Sequence, residues 1–456
     1  MPQAHRCAHR CAALPHREWL MIAMPVRRPM QCILRPVFPF LVIAAASLHA
    51  QQRPRALDLQ DVLDSVALRH PAVQAGIARV RAARGSRMSA GQLSNPILSY
   101  QVDNTPFPGG RPLDGIDREA MTMATFPLEP LYQRGSRTRQ ADARVRAADA
   151  DARSIAQSLS LDAASAFHRT ALAQVRVESL RDLANWLDTI VTYNRSRVRE
   201  GVASEADLIR TLLERDRTLA EVSMQEAEWV RARAELSGFL GDPAFTGSAL
   251  LLGFSSSVID LPPETHSPQV ASRPDLQAAV ERVAASRAGV AVERTMVIRQ
   301  LGATLGTKQQ LGQTSMIAGL SLPIPLFDRN RGEVVRATAE RDAAELEFEA
   351  TNRIAVSQLA AARIAATLLT TRAASFGGSS DSGFLARASE AKSIALGAYR
   401  EGAVPLFQVI DAARAWNEAR IAYYDLLFAQ HQSVIDLLFA SGQDIRFGLA
   451  HITSGH

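Results

Sequence analysis

The residues of this chain that could do catalytic or metal chemistry are scattered along the sequence. Six histidines follow residue 50, without the HExxH spacing or another close spacing typical of metal ligands: His70, His168, His266, His431, His451 and His456. All three cysteines lie within the first 32 residues, so the rest of the chain has no thiol chemistry. No P-loop, dinucleotide-binding glycine motif or GxSxG motif is present. The sequence therefore predicts a protein that is not an enzyme and has no cofactor and no metal site.

Carboxylates recur at two matching positions and are the groups best suited to an ionic role. Glu205 and Asp207 follow Gly201, and Asp411 follows Gly402. Carboxylates held close together repel one another and attract cations. Taken singly, each has a simpler role as an acid that the positive end of a helix favours. Which of these two roles applies depends on the elements that position the carboxylates.

The formal net charge of +5 comes from the first 50 residues, which hold six arginines and one acid. The remainder carries 45 bases and 45 acids (51 − 6 and 46 − 1), so it has no basic surplus for a nucleic-acid partner. A secretory signal that starts at Met24 is predicted by positive residues, a short apolar run and a cleavage position: Arg27, Arg28, Arg35, residues 37–46 and Ala50.

Two copies of one pattern make up the rest of the chain. The Arg-Glu-Gly triplet at residues 199–201 recurs at residues 400–402. HPAVQAGIARVRAA from His70 matches RPDLQAAVERVAAS from Arg273, and PLYQRG in the first copy matches PLFDRN in the second. Such ordered matches predict a duplicated unit. The predicted parts are a leader, a first repeat, an irregular link, a second repeat and a tail: residues 1–50, 51–241, 242–272, 273–442 and 443–456.

Each repeat is predicted to begin with a helix, about residues 57–92 and 274–298, followed by two strands. Apolar and polar residues alternate over about ten residues in four places, which is the period of a strand with two different faces: about 96–104, 118–127, 299–308 and 313–323. The apolar face is predicted to contain Leu98, Tyr100, Val102, Leu301, Leu305, Leu320 and Leu322. The polar face is predicted to contain Ser99, Gln101, Asp103, Thr304 and Ser315. For Met121 and Met123, strand packing is a better explanation than soft-metal binding.

A long helical run follows each strand pair, from about residue 133 to 200 in the first copy. Its leucines and an isoleucine have the 3-4-3 spacing of a packed seam: Leu180, Leu183, Leu187 and Ile190. Gly201 and Gly402 are expected to end the long helices, and Ser204 and Pro405 to begin the return helices. Each Arg-Glu-Gly triplet is therefore the predicted tip of an αα-hairpin.

Prolines mark the two junctions between a strand and a long helix, which we call the elbows: Pro127 and Pro130 in the first copy, Pro323 and Pro325 in the second. Proline cannot donate to a β-ladder, and the residue before it avoids helical geometry. Asp328 or Asn330 is expected to cap the helix that follows the second elbow. The segment SFGGSSDSGF, residues 375–384, is expected to interrupt the second long helix, with no counterpart in the first copy.

This ordered set of features resembles the TolC-type outer-membrane efflux channels from Leu57 to Gly442. The likeness rests on LDLQDVLDSVALRHPAV, NPILSY, both elbows and both tips, and SLPIPLFDRNRGEV is most similar to the branch serving heavy-metal resistance-nodulation-division pumps. The resemblance implies a mainly α fold with a small transmembrane β part. It further implies a homotrimer in outer-membrane lipid, where four strands per chain form a 12-stranded barrel that a periplasmic α-helical barrel continues.

The same resemblance implies a passive export duct for small molecules or metal ions, with no preference between them. Its periplasmic end would dock onto an adaptor protein and an inner-membrane pump through Arg199, Gly201, Val202, Ala203, Ser204, Arg400, Gly402, Ala403, Val404 and Pro405. Threefold symmetry would bring Asp207 and Asp411 into a ring, which makes them candidates for a gate. The polar strand face would line the channel, and the apolar face would contact lipid.

Two other protein classes also use long helices. A periplasmic adaptor has substantial β domains flanking one hairpin, whereas this chain has two equivalent hairpins. A coiled-coil scaffold predicts neither alternating strands nor a signal peptide. Both alternatives lack a channel, so cell fractionation and native mass distinguish them from the duct.

Overall fold

The computed structural model describes residues 57–106, 108–110, 115, 117–240, 257–261, 270–376 and 383–453. The predicted leader, with its signal and cleavage position, and most of the predicted link lie outside these residues. The α-helices are α1 Leu59–Arg69, α2 Pro71–Ala90, α3 Glu129–Arg199, α4 Glu205–Leu240, α5 Pro274–Thr295, α6 Arg331–Phe376, α7 Phe384–Arg400, α8 Leu406–Ala440 and α9 Ile445–Thr453. The strands are β1 Ile97–Asp103, β2 Glu119–Pro127, β3 Gly302–Gln310 and β4 Gln313–Ser321.

The first helix is broken at His70, so the expected single helix over residues 57–92 is wrong. The residue before a proline avoids helical geometry, and His70 accordingly has ψ 128°. Its ring Nδ1 accepts a hydrogen bond from the Ala72 N–H at 3.2 Å and caps α2. Two helices therefore replace one because Pro71 starts a helix instead of continuing one.

The long helix α3 has 71 residues, which corresponds to about 107 Å at 1.5 Å per residue. Pro130 lies in its first turn, where a missing N–H costs nothing. The four residues of the predicted seam are all buried: Leu180, Leu183, Leu187 and Ile190. They lie on the side of α3 that packs against α8, where Leu183 and Leu187 share an apolar cluster with Ala413.

The helices of the two repeats pack in the same order. In the first repeat α2 packs against α3, and in the second α5 packs against α6. Within the second repeat α6 also packs against α8, and between the repeats α3 packs against α5 and α8. The duplication seen in sequence is thus also a duplication of helix packing.

The apolar core near the start of the chain is built around α1. Val62, Leu63 and Val66 have no exposed surface. One side of α1 packs on Phe167 of α3, and the other packs on Leu438 of α8. The tail contributes α9, whose Ile445 and Leu449 join the second of these clusters.

The four strands form one antiparallel sheet in the order β1-β2-β3-β4. Within this sheet β1 and β4 are the edge strands. A mainly α fold with a four-stranded sheet, as the sequence predicts, is confirmed. The strand β3 begins at Gly302 instead of near residue 299, because Gln300 has φ 63° and cannot continue a strand. Leu301 therefore precedes the strand.

The interruption expected in the second long helix falls between α6 and α7. Helix α6 ends at Phe376 and α7 begins at Phe384. The rings of these two phenylalanines lie 4.6 Å apart. Residues 377–382 of the predicted insertion lie outside the described residues.

Candidate functional site

The two hairpin tips have the same backbone geometry. Gly201 has φ 73° and Gly402 has φ 75°, a left-handed conformation that favours glycine. The N–H after each glycine bonds back into the helix: Val202 to the Arg197 carbonyl at 2.9 Å, and Ala403 to the Ala398 carbonyl at 2.8 Å. A second bond joins each glycine N–H to the carbonyl three residues earlier. Both tips are therefore Schellman endings.

The residues predicted for partner docking lie at these tips and are mostly exposed. The exposed ones are Arg199, Gly201, Val202, Ser204, Arg400, Gly402, Ala403 and Pro405, and the half-buried ones are Ala203 and Val404. The Ser204 hydroxyl accepts a bond from the Ala206 N–H at 3.1 Å and caps α4. Val404 packs on an apolar cluster that includes Ile190 and Leu406.

The two candidate gate carboxylates lie in or just beyond the first turn of the return helices. Asp207 is half-buried in α4, and Asp411 is exposed on α8. The hydrogen bond to Glu214 and the charge of that residue raise the pKa of Arg414, and the charge of Asp411 adds to the effect. Nothing within one chain brings Asp207 and Asp411 into contact, so a ring of them needs further copies.

A buried polar network behind the tips joins the two hairpins, and sequence reasoning missed it. Asn194 of α3 has no exposed surface. Its Oδ1 accepts a bond from the Tyr399 hydroxyl of α7 at 2.7 Å, and its Nδ2 donates to the Thr211 hydroxyl of α4 at 3.2 Å. Thr211 in turn donates to the Asp207 carbonyl at 2.8 Å. Burial raises the pKa of the Tyr399 hydroxyl, which therefore stays protonated as the donor.

Two further contacts strengthen this connection. The guanidinium of Arg197 lies 5.4 Å from the ring centroid of Tyr399 and 5.7 Å from that of Tyr193. About one turn beyond Thr211, Glu214 of α4 forms a two-bond ion pair with Arg414 of α8. The first hairpin is therefore tied to the second by polar contacts at two levels.

At the first elbow the chain packs against the start of β3. The Leu128 N–H donates to the Leu301 carbonyl at 2.7 Å, and the Tyr132 hydroxyl donates to the Ile298 carbonyl at 2.5 Å. Pro127 is the last residue of β2, and Pro130 is buried in the first turn of α3. This elbow is thus a contact between the two repeats.

At the second elbow Pro323 is exposed and Pro325 is half-buried, and Asn330 fixes the direction of the chain. The Asn330 side chain does not cap α6 as expected. Its Nδ2 donates to the Glu293 carbonyl at 2.7 Å, and its Oδ1 accepts from Arg299 at 2.5 Å. These bonds tie the elbow to α5 and to the segment before β3, and they satisfy a side chain that is almost fully buried.

Strand register determines which residues share a face of the sheet. Directly paired residues project to the same side. Ser99 pairs with Met123, Gln101 with Met121, and Lys308 with Ser315. The predicted polar set lies together on one face: Ser99, Gln101, Asp103, Thr304 and Ser315. The predicted apolar residues within the strands lie on the other: Leu98, Tyr100, Val102, Leu305 and Leu320.

The polar face contains an ion pair that the periodicity did not identify. Lys308 Nζ lies 2.6 Å from the Glu119 carboxylate. Thr125 and Thr304 hydroxyls lie 3.1 Å apart on the same face. Gly306 is required there, because a Cβ would lie 2.3 Å from the Thr122 carbonyl oxygen. The methionines Met121 and Met123 also lie on this face, which the sequence did not specify.

Both repeats together define the class of protein. Residues 62–242 and 269–443 match the family described as outer membrane efflux protein, and the chain belongs to this family. It is a channel component of an efflux system, located in the outer membrane and extending into the periplasm. Members of this family act in tripartite systems with an adaptor and an inner-membrane pump. The adaptor and coiled-coil alternatives are therefore wrong.

Particular relatives place the chain near heavy-metal resistance proteins. It is 31% identical over 345 residues to the nickel-cobalt-cadmium resistance protein NccC of Alcaligenes xylosoxydans xylosoxydans, covering 70% of this chain and 74% of that one. It is 24% identical over 362 residues to the cobalt-zinc-cadmium resistance protein CzcC of Cupriavidus metallidurans, covering 76% and 81%. The fold of this chain is similar to that in crystal structures of CusC, with a TM-score of 0.70 and 17% sequence identity. The match covers 84% of this chain and 92% of that one.

The buried network gives a testable prediction about how the hairpins are held together. The substitution Tyr399→Phe removes one hydroxyl and leaves the side-chain oxygen Oδ1 of Asn194 buried without that donor. An unpaired buried acceptor costs about 1–3 kcal/mol, so the hairpins should separate more easily near the tips. Limited trypsin cleavage at Arg197 and Arg199 should become faster.

The matched control is Tyr423→Phe, which removes a hydroxyl from a half-buried tyrosine of α8 away from the tips. It should leave cleavage near the tips unchanged. Equal cleavage rates for Tyr399→Phe and the unmodified protein would show that the network does not join the hairpins.

Proposed function

We propose that this protein is a homotrimeric outer-membrane duct through which an inner-membrane pump of the resistance-nodulation-division type exports divalent heavy-metal cations. The metal class is supported by the names of its relatives, which are resistance proteins for nickel, cobalt, zinc and cadmium. The duct itself is passive, and the partner pump supplies the energy. The observation that carries the proposal is an open four-stranded sheet with one apolar and one polar face.

An open sheet cannot remain alone in lipid. The outer edges of β1 and β4 present backbone groups that need partners, and hydrocarbon offers none. Single-chain bacterial barrels have at least about eight strands, twice what this chain supplies. Three chains would pool their strands into a closed 12-stranded barrel with the polar face inside.

The duplication supports a particular pairing of helices between copies. Residues of α5 that face α3 are buried, including Gly289, which lies against Gln140. The corresponding face of α2 is exposed, and Ser86 is the counterpart of Gly289. In the barrel, α2 of one copy would pack against α6 of the next, as α5 packs against α3 within the chain.

Exposed groups on these two helices are complementary. Helix α6 is long and apolar enough to span a membrane by length and composition, yet most of its apolar window is exposed. Its exposed Leu346 is flanked on the same face by Asp342 and Glu349. Arg79 of α2 is the counterpart of Arg282, which pairs with Asp151 of α3. In the described part of the chain Arg79 has no such partner, which supports pairing with a neighbouring α6.

The exposed tips suit a docking role at the periplasmic end. Both tips have the same geometry, so three chains would present six similar hairpin ends to an adaptor. Arg199 and Arg400 would provide positive charge beside each glycine turn. Asp207 and Asp411 would form carboxylate rings that repel one another and attract metal cations.

The face assignment predicts opposite outcomes for two neighbouring apolar residues near the middle of β4. Met316 lies on the apolar face and is 80% exposed, whereas Ile317 lies on the polar face opposite Gly306. Arginine at the lipid midplane costs about 2–4 kcal/mol, but arginine in a wet lumen is tolerated. Met316→Arg should reduce assembled protein in the outer membrane and abolish metal tolerance in cells that supply the pump and adaptor.

Ile317→Arg should retain assembly and most of the tolerance. Hydropathy alone predicts the reverse order, because isoleucine is the more apolar residue. Equal loss of assembly in the two variants, or greater loss with Ile317→Arg, would refute the assignment of lipid and lumen faces.

The proposed contact between α2 of one copy and α6 of the next predicts that Arg79→Glu weakens the trimer. The new carboxylate would face Asp342 and Glu349 of the next copy, and like charges brought together at an interface cost several kcal/mol. Native mass spectrometry in mild detergent should then detect more monomer. The control Arg231→Glu changes an exposed arginine of α4 whose partner, Glu228, lies in the same helix. Equal trimer fractions for the two variants would exclude this contact between α2 and α6.

The gate hypothesis predicts a higher closed-state conductance for the combined Asp207→Asn and Asp411→Asn variant. Amides of the same size remove the mutual repulsion and the cation attraction without opening space. Single-channel recording in planar bilayers at low salt measures the effect, where charge screening is weakest. Asp216→Asn, an exposed acid farther along α4, is the control. A closed state identical to that of the unmodified channel would remove both residues as gate candidates.

A further inference from the structure

A short part of the link between the repeats, residues 257–261, is attached to α8 by two consecutive side chains. Gln430 and His431 both reach its backbone. The stretch lies between two segments outside the described residues. We call this stretch and its two anchoring side chains the link clasp.

The Gln430 side chain holds three elements together. Its Oε1 accepts a bond from the Ile259 N–H at 3.2 Å, and its Nε2 donates to the Ile259 carbonyl at 2.6 Å. The same Nε2 donates to the Thr370 hydroxyl of α6 at 3.0 Å. The side chain has no exposed surface, and both its nitrogen and its oxygen are hydrogen-bonded inside the protein. Loss of the link would remove both bonds to Ile259 and leave the buried amide only its bond to Thr370.

His431 adds a second bond to the clasp, and its protonation state follows from its partner. Its Nε2 lies 2.8 Å from the Ser257 carbonyl oxygen, which can only accept. The neutral ring therefore carries its proton on Nε2. The ring of His168 on α3 lies 5.8 Å away, centroid to centroid. The two imidazoles are the only pair of histidine rings that approach one another in the described part of the chain.

His168 has the other tautomer. Its Nδ1 lies 3.2 Å from Gln432 Oε1, and the Gln432 Nε2 donates to the Asp436 carboxylate at 2.9 Å. Because the Gln432 amide donates at one end, its oxygen accepts at the other, and the proton is on Nδ1 of His168. Phe167 and Phe428 pack against the ring and exclude water.

Charged groups on the elements that pack around His168 and His431 do little to stabilise a protonated ring. On α3 and α8 they are paired or engaged elsewhere: Arg169 with Glu235, Arg176 with Asp425, and Asp436 with Gln432. On the link, Asp260 is exposed, and on α6, Arg372 lies over Phe376. Among the described residues the group whose charge acts on His168 is His431 itself. A first proton therefore disfavours a second.

Burial and the neighbouring ring together hold the pKa of His168 down to about 3. Burial also lowers the pKa of His431, although its bond to the Ser257 carbonyl opposes the shift. An unburied histidine has a pKa near 6.5, so the released state binds more protons than the clasped state. The stabilisation is complete above about pH 6.5 and is lost as the pH falls below that value.

We propose that the His168–His431 pair makes the link clasp pH-sensitive, so that acidification releases residues 257–261 from α8 and α6. Release frees the His431 ring from the Ser257 carbonyl and removes both anchoring side chains from the link, and a proton on His431 acts on His168 beside it. The device lies far from the tips and the sheet, and it holds whether or not the transported cargo is a metal. It gives the middle of the protein a response to the acidity of its surroundings.

A nitroxide at position 258 reports this release. The full-length protein, with its leader cysteines replaced by serine, carries Val258→Cys labelled with a nitroxide, and its electron paramagnetic resonance spectrum is recorded from about pH 7.5 to about pH 5. The ratio of mobile to immobile signal should rise about tenfold per pH unit below about 6.5, since at least one proton is taken up on release.

The variant His431→Gln keeps a donor for the Ser257 carbonyl but cannot be protonated, and the double variant His168→Gln, His431→Gln removes both titrating rings. The pH response should be reduced in the first and absent in the second. His70→Gln, which changes a helix-capping histidine, should retain the full response. A spectrum of the otherwise unmodified protein that does not change with pH overturns the proposal without any variant. A full response in the double variant also overturns it.

Discussion

Backbone N–H and C=O groups need hydrogen-bond partners, and hydrocarbon offers none, so a sheet in lipid can have no free edge. The sheet of this chain ends at β1 on one side and β4 on the other. Its apolar face suits lipid and its polar face suits water. The chain therefore cannot form a membrane channel alone, and in the assembly that we propose its outer strands meet those of identical neighbours.

Duplication makes such an assembly possible with one sequence. Each repeat supplies a strand pair, an elbow, and long helices that turn at an αL glycine. Among the described residues, the bond from Tyr132 to the Ile298 carbonyl at the first elbow has no equivalent at the second elbow, and another copy would have to supply one. The helices would thus form a closed ring by repeating one kind of contact, while the buried Asn194 network ties neighbouring hairpins behind the tips.

Local chemistry made part of this structure predictable. Alternation located all four strands and assigned Ser99 and Leu98 to opposite faces, and glycines marked both tips because only a left-handed residue closes such a turn. The break at His70 was missed because both flanking segments have helical periodicity. Pairs such as Tyr399 with Asn194, 205 residues apart, depend on how helices pack, which periodicity does not specify. The roles of the tips and carboxylates stay predictions.

The most direct test is a covalent link between the two edge strands. Within one chain β1 and β4 are three strand spacings apart, about 14 Å, which exceeds the roughly 7 Å that a disulfide can span. Cysteine pairs combining Ser99→Cys with Gly319→Cys or Ser321→Cys, in protein whose leader cysteines are replaced, should form disulfides only between copies. The account predicts that oxidation in membranes converts at least one pair into a covalent trimer on a denaturing gel. Chains that stay monomeric with both pairs would contradict it.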